Sequence, residues 1–123
     1  LPPHEIALTA LKELEAKQLW QKGEVKAYHS ELSRILRNYL EGRYEVQALE
    51  MTTSEIHSQL KNLDFDPDWK DRLTTMLQAV DLVKFAKAEP SVQFHTQSLE
   101  DVRAFVLATK REILEEEADE GEE

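Results

Sequence analysis

The chain has 123 residues, 41% of them hydrophobic and 33% charged, with no cysteine and a net charge of −10. That length is one domain and can bury a core without covalent staples. The absent cysteines exclude disulfides, thiolate metal sites and cysteine nucleophiles, and the negative charge argues against electrostatic capture of nucleic acid.

Residues 3–22 read as a first helix, with Ala7, Leu8, Leu11, Leu14 and Leu19 on or near one stripe. Pro2 and Pro3 suit its start and Gly23 its end. A second helix, 25–41, repeats Val25, Tyr28, Leu32, Ile35, Leu36, Tyr39 and Leu40 at helical spacing, and Gly42 closes it. With so short a link, the two should pair as an antiparallel hairpin. Residues 43–51 lack periodicity and read as a structured loop.

Thr52-Thr53-Ser54-Glu55 forms a capping box, with Met51 and Ile56 at the staple positions. It opens a third helix through Ile56, Leu60 and Leu63. Asp66-Pro67 then supplies an N-cap and a proline at the first helical position. The fourth helix lines up Trp69, Leu73, Met76, Leu77 and Val80. Its continuation, 81–86, is not cleanly amphipathic, so packing on more than one side is expected.

After Pro90-Ser91, a last helix carries Leu99, Val102, Phe105, Val106 and Ile113. Seven acids then fill the last nine positions: Glu115, Glu116, Glu117, Asp119, Glu120, Glu122 and Glu123. Such a run repels itself and has no apolar face, so residues 115–123 are expected to be a disordered tail behind a domain over 1–114. No segment alternates with period two between turn residues. The fold class is therefore all-α: a single compact domain of about five helices, beginning with an antiparallel helix hairpin.

Chemistry is scarce. None of His4, His29, His57 and His95 has an Asp, Glu or His three or four residues away, so helical metal-ligand pairs are absent and surface positions are expected. There is no phosphate loop, nucleophile elbow or dinucleotide fingerprint. Asp64, Asp66 and Asp68 lack the glycine and closing glutamate of a calcium loop, and helix capping accounts for them better. No catalytic, cofactor-binding or metal-binding residues are assigned.

Two features go beyond local structure. Asp81 and Lys84 lie three apart in an otherwise apolar segment, as a partly buried ion pair or a charged partner contact. Arg34, Arg37 and Arg43 lie near Tyr39 and Tyr44, a basic–aromatic cluster that is either a solvated helix face or a site for an anionic contact. These seven residues are the candidate partner-binding set.

Three strings carry a resemblance: Leu32-Ser33-x-Ile35-Leu36-Arg37-x-Tyr39-Leu40-Glu41-Gly42-Arg43-Tyr44, Ala48-Leu49-Glu50-Met51-Thr52-Thr53-x-Glu55-Ile56 and Asp81-Leu82-Val83-Lys84-Phe85-Ala86-Lys87. In this order they resemble the cytoplasmic domain of membrane-anchored proteins encoded with MoxR-type AAA+ ATPases and the Bat aerotolerance proteins. The likeness includes the C-terminal region of BatD-like proteins, especially of Bacteroidetes. It spans about residues 2–114, and the Pro3-His4-Glu5-Ile6-Ala7-Leu8 opening is similar to the segment after their transmembrane helix.

What the resemblance implies is a place on the cytoplasmic side of a bacterial inner membrane, below a preceding transmembrane helix. It also implies partners: a MoxR-type ATPase and von Willebrand A-domain proteins. The leading expectation is a non-enzymatic adaptor domain. The alternatives are an enzyme whose site assembles only in three dimensions, joining histidines with Glu50 or Asp81, and a helical regulatory domain.

Overall fold

Proline at the first helical position, whose missing N–H would have no partner there anyway, starts the first helix, α1 (Pro3–Lys17). α1 stops earlier than its apolar spacing suggests, because Gln18 turns left-handed at φ 51°. Leu19 and Trp20 then sit in a separate turn. Gly23, at φ 86°, closes that turn: its N–H donates to Trp20 O and the N–H of Glu24 donates to Leu19 O at 2.8 Å. Glycine does terminate a helical turn here, though not the helix itself.

The computed structural model describes residues 1–110 in full. It comprises α1, α2 (Val25–Tyr44), a 3-10 turn (Ala48–Glu50), α3 (Thr53–Leu60), α4 (Pro67–Ala86) and α5 (Val92–Glu122). No strand occurs among the described residues, and the all-α expectation holds. The expectations for Ile113 and for the acidic tail at 115–123 fall outside the described residues.

Gly42 does not close α2, which continues to Tyr44 and ends at left-handed Glu45. The glycine serves packing instead. A Cβ on Gly42 would come within 3.1 Å of the Pro3 ring, so its bareness lets the start of α1 lie on the end of α2. This contact also shows that α1 and α2 are antiparallel, as the short link requires.

The capping box at α3 forms in both directions. Thr52 Oγ1 accepts from the N–H of Glu55, and Glu55 Oε1 accepts from the N–H of Thr52, each at 3.2 Å. Thr52→Ala should therefore cost about 1 kcal/mol, read as a lower urea midpoint at unchanged slope. No shift would mean that water serves these amides equally well. Asp66 caps α4 by accepting from the N–H of Asp68 at 2.9 Å, which is the role its sequence position gives it. Ser91 Oγ accepts from the N–H of Phe94 at the start of α5.

α5 runs parallel to α2: His95 meets Tyr28 and His29 near the start of α2, and Thr109 meets Tyr39 near its end. α4 runs opposite to both, with Trp69 at its start against Phe105. The core between them holds Leu11, Leu14, Leu32, Leu36, Leu40, Ile56, Leu73, Leu77, Val102 and Val106. Most of the periodic apolar positions read from the sequence are in it. Leu8, Leu19, Leu63 and Trp69 are partly buried and pack against it.

Residues 81–86 were expected to pack on more than one side. Only Val83 of the large apolar residues there is buried, whereas Leu82 is 57% and Phe85 78% exposed. The reason is that no further element among the described residues covers that flank of α4: the chain turns away at left-handed Lys87. The broken amphipathicity of this segment marks an uncovered apolar face, not a doubly buried one.

Candidate functional site

The exposed end of α4 lies across a cleft from the middle of α2. The cleft holds about 490 Å³ and is lined by Ser33, Arg34 and Arg37 of α2, Leu49 to Thr53 in part, and Asp81, Lys84 and Phe85 of α4. Four of the seven candidate residues thus meet in one place. Local sequence could not show this, since more than forty positions separate the two groups.

Each charged group has a distinct task. Arg37 is half-buried and stitches α2 to the following loop: Nε donates to Ser33 Oγ at 3.0 Å, and Nη1 donates to Ala48 O at 2.9 Å and to Met51 O. A planar guanidinium with several fixed donors suits such a junction better than an ammonium. Burial pulls its pKa down and nearby Asp81 opposes that pull. Arg37 is therefore neither a solvated helix face nor a free contact for a partner.

Asp81 does not pair with Lys84. Its Oδ2 accepts from the Thr53 hydroxyl at 2.5 Å, tying α4 to the start of α3. Lys84 instead places its Nζ 5.3 Å from the centre of the Phe85 ring. Arg34 is exposed on the α2 rim. Arg34 and Lys84 are the cations that reach outward.

The remaining three candidates lie elsewhere. Tyr39 is only 1% exposed, and its hydroxyl hydrogen-bonds Thr109 Oγ1, so its ring belongs to the core. Thr109 spends its own proton on Phe105 O at 2.9 Å, which makes Tyr39 the donor. Tyr44 packs half-buried on Phe65, with the Arg43 guanidinium 4.7 Å from the Tyr44 ring centre. An interface anchored on Tyr39 is ruled out by its burial.

A second depression of about 490 Å³ lies on the other side of Phe85. Val25 and Lys26 of α2, and Lys84, Lys87, Glu89 and Pro90 around the end of α4, line it. The two depressions share Lys84 and Phe85. Together they present five cations (Lys26, Arg34, Arg37, Lys84 and Lys87) against two acids, Asp81 and Glu89. On a chain of net charge −10, this is a local reversal of sign.

The expectation of surface histidines is corrected. His4, His29 and His95 are buried and His57 is half-buried, with its Nδ1 2.9 Å from Thr74 Oγ1 of α4. His29 Nε2 and His95 Nδ1 lie 2.7 Å apart, so one ring donates to the other. Tyr28 closes the group by donating its hydroxyl to His95 O at 2.8 Å, and Phe94 stacks on His29.

Burial, aided by His95, pulls the His29 pKa down to about 4, and burial likewise lowers that of His95. Burial also pushes Tyr28 up to about 12. Helical periodicity carries no trace of a pairing across 66 positions. Neither Glu50 nor Asp81 joins these histidines: Asp81 is in the cleft and Glu50 is exposed. Among the described residues, no three His, Asp or Glu side chains come together as a metal-ligand group.

No protein-family model, no curated protein and no solved structure matches this chain.

Proposed function

We propose that this domain is a protein-interaction module, an adaptor that works without catalysis, and that it binds through the face around Phe85. The observation that supports this reading is Phe85 itself, 78% exposed between two cation-lined depressions on a chain of net charge −10. Aromatic residues, phenylalanine among them, and arginine are enriched at protein interfaces, and charges at the rim steer the partner in. Leu82, three residues earlier on the same helix, and Leu49 across the cleft add apolar surface beside it.

The resemblance supplies the setting: the cytoplasmic side of a bacterial inner membrane, a membrane anchor ahead of this domain, and a role beside the Bat aerotolerance proteins. Among the described residues no helix is long and apolar enough to cross a membrane. The partners in this reading are a MoxR-type ATPase or A-domain proteins.

The test is a titration of the domain against those proteins. Arg34→Glu with Lys84→Glu should weaken binding about tenfold or more, chiefly through slower association at low salt. Arg37 is left intact because it holds the loop. Catalytic turnover in a substrate screen, without binding to any of these proteins, would sink the proposal in favour of an enzyme.

A further inference from the structure

Resting on that reading, we infer that the face around Phe85 receives an acidic amphipathic helix of a partner protein. The helix lays an apolar stripe across the Phe85 ridge and its carboxylates on the cations at either side.

Three observations fix the chemistry of this occupant. The first is charge. Arg37 is spent on the carbonyls of Ala48 and Met51, which leaves Lys26, Arg34, Lys84 and Lys87 around the ridge to meet outside charge. With the opposing acids Asp81 and Glu89 included, the face still favours an anion. Asp81 is moreover engaged with the Thr53 hydroxyl.

The second observation is apolar surface. Phe85 and Leu82 are on one face of α4, and Leu49 is across the cleft, all three exposed. A purely ionic ligand would leave them wet. A ligand with alternating stripes covers both kinds of surface at once.

The third is the absence of any sheet edge among the described residues. An extended peptide could not find backbone partners here by adding a strand. A helix satisfies its own backbone and needs only side-chain complementarity, which is the helix-in-groove mode of recognition. The paired depressions on either side of Phe85 accommodate side chains that straddle the ring.

An anionic membrane offers similar chemistry but fits less well. The chain carries −10 overall, and the carboxylates of Asp81 and Glu89 line the same depressions. A flat charged bilayer meets these carboxylates together with the cations, whereas a narrow acidic helix can place its own charges on the cations alone.

The experiment uses the full 123-residue chain and three probes. One is a helical peptide of about 15 residues, long enough to be partly helical alone, with a leucine stripe and glutamates elsewhere. The second replaces every glutamate by lysine, and the third is a vesicle of phosphatidylglycerol and phosphatidylcholine. The glutamate peptide should bind, weakening as salt rises, and the lysine peptide should not. Phe85→Ser should weaken binding roughly tenfold while leaving the thermal midpoint within about 2 °C, since the ring contributes little to the fold.

Equal binding of both peptides, or binding indifferent to Phe85→Ser, overturns the inference. So does Phe85-dependent vesicle binding without peptide binding, which would assign the face to a membrane. Binding of an ATPase or A-domain partner that survives both Phe85→Ser and the Arg34→Glu, Lys84→Glu pair keeps the adaptor reading but removes this occupant. Binding to none of the peptides, proteins or vesicles removes both.

Discussion

Phe105→Ala should cost about 3–5 kcal/mol, the range for deleting a fully buried aromatic ring. Phe105 is 0% exposed and faces three other rings edge-on: Tyr39 at 5.8 Å, Phe65 at 5.2 Å and Trp69 at 5.7 Å between centres. Those partners come from α2, the α3–α4 link and α4, so one ring on α5 joins most of the bundle. The residue's own carbonyl also accepts the Thr109 hydroxyl that receives Tyr39.

Removing the ring leaves a cavity that rigid aromatic neighbours fill poorly. Against a total stability of roughly 5–15 kcal/mol for a domain, the loss is large. Urea unfolding followed by helical circular dichroism measures it. A cost below about 1 kcal/mol would show that the aromatic cluster repacks freely.

Acidification should destabilise the domain by roughly 3 kcal/mol between pH 6.5 and pH 4 through His29. In the unfolded chain His29 takes up a proton near its ordinary value of 6.5, whereas in the fold it resists until about pH 4. Between these values the unfolded state binds more protons, so stability falls with falling pH. The contribution is fully present above pH 6.5 and lost progressively on the way down to about 4.

The physical cause is plain from the geometry. The proton added to His29 would sit either on Nδ1, which is buried without a hydrogen-bond partner, or on Nε2 against the N–H of His95 at 2.7 Å, with Phe94 and Tyr28 packed around the ring. The lowered pKa of His95 acts in the same direction. Glu15, Glu100 and Arg103 form an ion-pair cluster on the neighbouring rim, outside the pair itself. Unfolding free energies at pH 7.0 and 4.5 test the prediction, with His29→Gln as the comparison. A wild-type profile no steeper than that of the variant would remove the pair as the cause.

The sequence was most legible where a signal is local. The capping box at Thr52 and Glu55, the Asp66 cap and the α2 stripe depend on neighbours within one or two turns. Helix ends were less legible. Gln18, Glu45 and Lys87 adopt left-handed turns without being glycine, and Gly42 is kept for the contact of Pro3 rather than for a stop. A glycine read as punctuation can equally be a packing notch.

The candidate site was legible by half. Arg34, Arg37, Asp81 and Lys84 were chosen for charge and pattern, and they line one cleft. Tyr39 was chosen by residue type, and its burial removes it. Phe85 belonged to a segment expected to be covered, because a run of apolar residues looks alike whether two elements flank it or none.

What this sequence determines by itself is its helices, their antiparallel opening pair and most of the core, because periodicity and capping act over a few residues. What only the tertiary structure decides is which side chains from distant helices meet. That choice makes Arg37 a clasp, joins His29 to His95 across 66 positions, and leaves Phe85 uncovered between two basic hollows. Burial and pairing depend on the whole packed arrangement, and no local rule encodes them.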